Sequence, residues 1–366
     1  MKGAIKIGKI AGIDIYLHWT FSILIAYITF IHYKEGQNLQ QISWAIFFIV
    51  CVFVTVILHE LGHAITAKKF KINTKDIIIL PIGGLARFET IPEKPKEEFI
   101  VSFAGPAVNM LIALISSFFI PLNDINSLKM QLTSSVNGSN FMLNFFIVNV
   151  WLALFNLIPA FPMDGGRVLR AALSLFLNRR LATNIAARIG QALAVMFIIG
   201  GFFVNPFLVL IGFYIFLGAQ AEEEYIFTNS ILQKYKVKDA IMNSVQRLNS
   251  NDTIKSAIQL LFNSTDDNFL IYENDRYVGI ITREEIINSL SSHAENEEIQ
   301  NIMTKNIVFL DADEPLDNAY KQLQIRQPNV MPVLENNNLI GTLTVKNILD
   351  FLLIKDAEEN RIKPAL

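Results

Sequence analysis

The residues best suited to chemistry are His59-Glu60-Leu61-Gly62-His63, which lie inside an apolar run. From Ile42 to Ala67 there is no Lys, Arg or Asp, and Glu60 is the single carboxylate. On a helix, side chains four apart share a face, so His59 and His63 can offer ring nitrogens to one metal ion. Glu60, one position on, would reach a water beside such an ion rather than the ion itself, where a carboxylate can act as general base. Catalytic zinc usually takes three protein ligands and leaves a fourth position open. Asp164 is the candidate third ligand. It sits in Asn156-Leu-Ile-Pro159-Ala-Phe-Pro162-Met-Asp164-Gly165-Gly166, where two prolines and two glycines break a helix and let a carboxylate turn inward. An Asp before a helix start is also a common cap, here for a helix beginning near Arg167. The residues alone leave both readings open.

The elements that must position these groups are membrane helices. Six stretches, near 14–31, 42–67, 99–120, 141–160, 184–204 and 206–220, are apolar enough to approach the roughly 20 residues a bilayer span needs. Asn144, Asn149 and Asn156 interrupt the fourth and should face the protein interior. Ionisable residues at membrane depth mark functional sites by default. Residues 3–16 alternate Ile with polar or Gly residues and read as short strands, as does 76–91 around Pro81 and Gly83-Gly84. Glycines in a strand mark close approach by another backbone. An edge that accepts an extended peptide and an ordinary bulged hairpin both satisfy that pattern. Lys and Arg concentrate before the first span, after the second and after the fourth, where Arg167, Arg170, Arg179 and Arg180 lie. The other side has only Lys34 and Lys129, which predicts a multi-pass cell-membrane protein with both termini, and all that follows the sixth span, on the cytoplasmic side.

After Glu222-Glu223-Glu224 the chain changes character. Residues 237–290 and 299–353 repeat one unit, each with a hairpin ending Gly279-Ile-Ile-Thr282 or Gly341-Thr-Leu-Thr344 followed by a helix. Two such units predict stacked modules, because one alone cannot bury its face. Composition agrees with a membrane protein plus a polar module: 52% hydrophobic, 28 Phe, yet 17% charged. A net charge of −2 without a concentrated basic face argues against nucleic acid as a main partner. Cys51 is the single cysteine, so no intramolecular disulfide forms. His18, His32 and His293 are read as interfacial, external and solvated respectively, away from any metal.

His-Glu-x-x-His in one span with Asn-x-x-Pro-x-x-Pro-x-Asp-Gly in a later one resembles the site-2 protease family of intramembrane zinc metalloproteases. Phe103-Ala-Gly-Pro-Ala-Val-Asn109 resembles that family's glycine-proline-asparagine segment, and the likeness covers about the first 220 residues. It implies one catalytic Zn2+ held by His59, His63 and Asp164, Glu60 as general base, and Asn156 on the scissile carbonyl or its oxyanion. The repeats resemble a pair of cystathionine-β-synthase-type (CBS) domains, which often bind adenine nucleotides such as ATP, ADP or AMP. That resemblance assigns Thr282 and Thr344 to phosphate and Glu285 and Asn347 to ribose, although Asp is the usual residue at the last two positions.

The expected fold is a polytopic α-helical membrane protein with about six transmembrane helices and short β-strands near the membrane, joined to a soluble α+β tandem CBS domain. Its expected divisions are a protease domain at 1–220, a linker at 221–236, CBS repeat 1 at 237–290, a linker at 291–298, CBS repeat 2 at 299–353 and a tail at 354–366. The expected reaction is hydrolysis of a peptide bond within or near a transmembrane segment of a membrane-protein substrate. Gly83 and Gly84 would help bind that substrate, and the CBS pair would sense nucleotide or form a homodimer. A CBS-regulated ion or metal transporter is the rival reading, disfavoured because no inverted repeat is visible among the spans.

Overall fold

The computed structural model describes residues 3–362 apart from 82, 89–91, 93, 121–134, 242–245, 265, 275, 292–295, 306 and 326–329. His293 therefore lies outside the described residues. The chain divides into two compact units, Met1–Glu224 and Tyr225–Leu366.

The first unit opens with a four-stranded sheet in the order β1 (Ala4–Ile10), β2 (Ile13–His18), β3 (Thr74–Leu80), β4 (Gly83–Phe88). The β1–β2 and β3–β4 pairs are antiparallel and the β2–β3 pair is parallel, leaving β4 as an edge. Ile13, Ile15, Ile77 and Ile79 alternate onto one face, where they pack on Leu61 and Ala64. Those two residues belong to α2 (Leu39–Lys69), so the sheet is clamped to the His-Glu-x-x-His turn.

The helices of this unit are α1 (Thr20–Lys34), α2, α3 (Pro95–Ser117), α4 (Phe141–Asn156), α5 (Asp164–Leu173), α6 (Arg179–Phe203) and the start of α7 (Pro206–Leu232), whose last residues belong to the second unit. Asn38 caps α2 by accepting from the Gln41 amide at 2.9 Å, while the Gln41 side chain accepts from Asn38 N–H. Among the described residues, α2, α3, α6 and α7 are long and apolar enough to cross a membrane. Their outward faces are aliphatic and aromatic, including Val54, Leu58, Leu114, Met196, Phe202, Leu210 and Leu217, all exposed. A contiguous apolar surface of that kind needs lipid around it, and the chain is a multi-pass membrane protein.

Two of the six expected spans are shorter than their apolar stretches. The first begins at Thr20, because Ile13–His18 alternates with a period of two and joins the sheet as β2. The fourth ends at Asn156, ahead of Pro159, whose missing N–H and ring disfavour a continuing helix. Asn149, in its middle, is wholly buried.

In the second unit, β5 (Arg247–Asn249), β6 (Asn268–Glu273) and β7 (Arg276–Thr282) form one three-stranded sheet. The second sheet, β8 (Leu310–Asp311), β9 (Val330–Glu335) and β10 (Asn338–Thr344), repeats its order and directions. Each sheet packs on two helices: α8 (Ile254–Asn263) and α9 (Arg283–Ser291), or α10 (Leu316–Ile325) and α11 (Val345–Ile362). The cores are apolar: Ile254, Phe269, Ile271, Ile281 and Ile286 in the first repeat, Leu316, Leu323, Val333, Leu343 and Ile348 in the second. Leu270 and Ile280 of one repeat meet Val330 of the other, so the two repeats stack as the repeat argument requires.

Candidate metal centre

Three helices bring the chemistry together. His59 and His63 project from α2, Asp164 begins α5, and α3 passes across both histidines. His59 Nε2 and His63 Nε2 are 3.1 Å apart, and Asp164 Oδ2 lies 3.1 Å and 3.0 Å from them. Tetrahedral ligands on bonds of ~2.0–2.1 Å would be about 3.3 Å apart, so this triangle is close to one face of a zinc polyhedron.

The other nitrogen of each ring decides what Nε2 offers. His59 Nδ1 faces Asn109 Oδ1 at 2.5 Å, and His63 Nδ1 faces the Val101 carbonyl at 2.7 Å. A carbonyl only accepts, so His63 carries its proton on Nδ1 and presents an Nε2 lone pair. The Asn109 amide is oriented in turn by donating to Asn149 Oδ1 at 3.0 Å, which makes its oxygen the acceptor for His59. Two imidazole lone pairs and a carboxylate oxygen facing one point repel one another unless a cation sits between them. The donor set fits zinc, with the acceptors behind each histidine that such sites use to fix ring orientation. Asn109 stands in the sequence only as the end of the glycine-proline-asparagine segment, with no role toward His59 assigned. The signal was its spacing from Gly105, four residues, which puts both on one face of α3.

Glycines permit this convergence. A Cβ on Gly105 would overlap His63 Nε2 and lie 2.6 Å from His59 Nε2. A Cβ on Gly62 would sit 2.8 Å from Val108 Cγ2 and 3.0 Å from Ala104 O, so the α2–α3 approach is backbone-close. At Gly166 a Cβ would meet Phe161 N at 2.6 Å, which seats the start of α5 on the preceding loop. The helix cap falls to Met163 rather than Asp164, and the Asp164 carboxylate turns to the histidines instead.

Glu60 lies beside this triangle, beneath the edge strand. Its Oε2 accepts from Ala86 N–H of β4 at 3.3 Å, and a Cβ on Gly84 would lie 2.6 Å from Glu60 Cγ. Gly84 therefore marks a close approach between the strand and the Glu60 side chain. Gly83 stands at the β3–β4 turn with φ +139°, a conformation that favours glycine. Asp76 and Arg87 pair across β3 and β4, with Arg87 Nε donating to Asp76 Oδ1 at 2.6 Å. Asn156 is the last residue of α4, and its Nδ2 donates to Leu152 O at 2.8 Å, into its own helix. His18 and His32 bond locally, to Thr20 and to the Ile28 carbonyl.

In the second unit the four residues read as nucleotide contacts form helix caps. Glu285 Oε2 accepts from the Thr282 amide at 2.7 Å and its hydroxyl at 2.9 Å, and Oε1 accepts from Thr304 Oγ1 at 2.6 Å. Asn347 Oδ1 accepts from the Thr344 amide at 3.0 Å and hydroxyl at 2.7 Å. These are Thr-x-x-Glu and Thr-x-x-Asn turns at the starts of α9 and α11. A ribose would have to compete for oxygens already engaged.

The protein-family description "Peptidase family M50" matches residues 47–201, and "CBS domain" matches 237–292 and 299–354. Zinc metalloprotease MJ0392 of Methanocaldococcus jannaschii is 31% identical, over 98% of this chain and 99% of that one. Stage IV sporulation protein FB of Bacillus subtilis is 26% identical over 52% of this chain and 65% of its own. A solved site-2 protease from Methanocaldococcus jannaschii is 35% identical, covers 60% of this chain and 95% of that one, and superposes with a TM-score of 0.45. With a relative matched from end to end, and with the M50 segment spanning the histidine turn and Asp164, the chain belongs to peptidase family M50: it is a site-2 protease-type metalloprotease carrying a tandem pair of CBS domains.

Proposed function

We propose that this enzyme hydrolyses a peptide bond within or near a transmembrane segment of another membrane protein, using zinc held by His59, His63 and Asp164. The observation that carries this reading is the 3.0–3.1 Å triangle of ligand atoms with acceptors behind both histidines. Zinc bound there would polarise the scissile carbonyl and make water acidic enough to react near neutral pH. Glu60 takes the proton of the attacking water and delivers it to the leaving nitrogen. The outer edge of β4, with Gly83 and Gly84, pairs with substrate unwound into an extended strand and so lays its carbonyls beside Glu60. Asn156 offers its amide to the developing oxyanion, which requires that the amide turn away from Leu152.

The test is cleavage of a single-span substrate by purified protein in proteoliposomes. Removing the metal with a chelator should abolish cleavage, and stoichiometric zinc should restore it. Cleavage that persists undiminished after complete metal removal would sink the proposal.

The domain divisions at 220, 236, 290, 298 and 353 are part of the same proposal, as are cytoplasmic termini. A reporter fused after Leu366 or inserted within 70–75 should read as cytoplasmic, and one inserted at 135–138 as external. An external C-terminus would overturn the orientation.

The CBS pair is proposed to bind an adenine nucleotide and to alter cleavage by favouring one arrangement of the enzyme. The supporting feature is a Thr at the end of a strand in both repeats, Thr282 and Thr344, where the CBS motif has its phosphate residue. Calorimetry of the full-length protein with ATP, ADP and AMP should show one binding at millimolar concentration or tighter. No binding by any of the three would leave the pair as a dimerisation or substrate-docking module.

A further inference from the structure

Arg170 heads the fully buried large side chains, with 0% of its surface exposed. It lies on α5 six residues after Asp164, and it is held from two other helices. Its Nε donates to Glu98 Oε1 at 2.8 Å, and its Nη2 also bonds that oxygen. Its Nη1 donates to Glu222 Oε1 at 2.6 Å. Glu98 is in the first turn of α3 and is itself 2% exposed, while Glu222 is on α7. Arg179 Nη2 approaches the second Glu98 oxygen at 3.7 Å. The guanidinium also lies 5.0 Å from the centre of the Phe161 ring, and Phe161 is buried among Ala186, Ala187 and Ala219.

A desolvated Arg between two carboxylates is poor evidence for stability, because apolar residues of similar volume often do as well. What such a cluster supplies is one fixed geometry, and here that geometry belongs to a ten-residue helix whose first residue is Asp164. Helix α5 has little freedom of its own, since the backbone at Gly165 and Gly166 already touches residues 157–161. Its far end is held by Arg170 against Glu98 of α3 and Glu222 of α7.

We propose that Arg170 is a positioning residue for the metal ligand Asp164, and that its bond to Glu222 makes the position of Asp164 sensitive to displacement of α7. This rests on Asp164 being a ligand, as proposed above.

The experiment uses full-length protein loaded with Co2+ in place of zinc, whose visible absorption reports ligand geometry. Glu222→Gln, which keeps size and removes charge, should change that spectrum and weaken metal affinity in chelator competition by about 10–100-fold. Zinc-loaded Glu222→Gln should show a lower kcat at nearly unchanged KM, because the substrate strand is untouched. Glu222→Asp should recover part of each effect. Wild-type Co2+ absorption and affinity in Glu222→Gln would overturn the proposal. If Glu222→Gln does not fold, Arg170→Lys carries the same test, and a wild-type spectrum there would likewise overturn it. His59→Ala run in parallel separates the two claims. Undiminished metal binding by His59→Ala would refute the metal centre itself. Loss of metal in His59→Ala with no change in Glu222→Gln would refute the Arg170 link alone.

Discussion

Glu60→Gln should keep stoichiometric zinc and lose cleavage by ~10²–10⁴-fold, the usual worth of a general acid–base group. The Gln side chain keeps the shape of Glu60, and its amide oxygen can still accept from Ala86 N–H, so β4 stays where it is. What it cannot do is take a proton from water. His59→Ala and Asp164→Ala should lose metal and cleavage together, because these side chains form two corners of the ligand triangle. His59→Ala also leaves the buried Asn109 oxygen without its partner, at about 1–3 kcal/mol of stability. The measurements are zinc per chain by elemental analysis and cleavage of the reconstituted substrate. Full zinc and full activity in Asp164→Ala would remove it from the ligand set. Wild-type cleavage by Glu60→Gln would move the general base elsewhere.

Much of this site was legible because helix periodicity is local. His59 and His63 four apart, with Glu60 between them in an apolar run, state a metal-binding face without any knowledge of the fold. Asp164 is 101 residues from His63, and its capping and coordinating readings use the same residue type, so family resemblance was needed to choose between them. Asn109 and the Val101 carbonyl were not legible as supports, because which residue meets a ring nitrogen depends on how α3 crosses α2.

Arg170 shows the limit of charge counting most clearly. It entered the topology argument as one of several basic residues between spans, yet it is wholly buried. Its partners Glu98 and Glu222 are 72 and 52 residues away, and no local pattern reveals such pairing. The CBS motifs illustrate the opposite case. Thr282-x-x-Glu285 has the spacing of a capping box, so the helix start is written locally, in the same residues that the CBS resemblance assigns to nucleotide.

Gly105→Ala should yield a folded protein without metal and without proteolysis. The new Cβ would occupy the space between the two histidines, overlapping His63 Nε2 and lying 2.6 Å from His59 Nε2. Backing α3 away from α2 would relieve the overlap only by giving up the close contact of Gly62 with Ala104 and Val108. The histidine rings are pinned from behind by Asn109 and Val101, so they cannot rotate aside without abandoning those hydrogen bonds. Overpacking of this sort costs about 1–3 kcal/mol, which the remaining helix contacts can absorb, whereas the ligand triangle cannot. Gly200→Ala is the matched control. It adds the same methyl on α6 where nothing lies within 4 Å, and it should leave metal content and activity unchanged. Circular dichroism of both variants checks the helices, and zinc analysis with the cleavage assay checks the centre. Gly105→Ala that binds zinc stoichiometrically and cleaves within a few-fold of wild type would mean that α3 does not press on the two histidines. The acceptor role assigned to Asn109 would then fail with it.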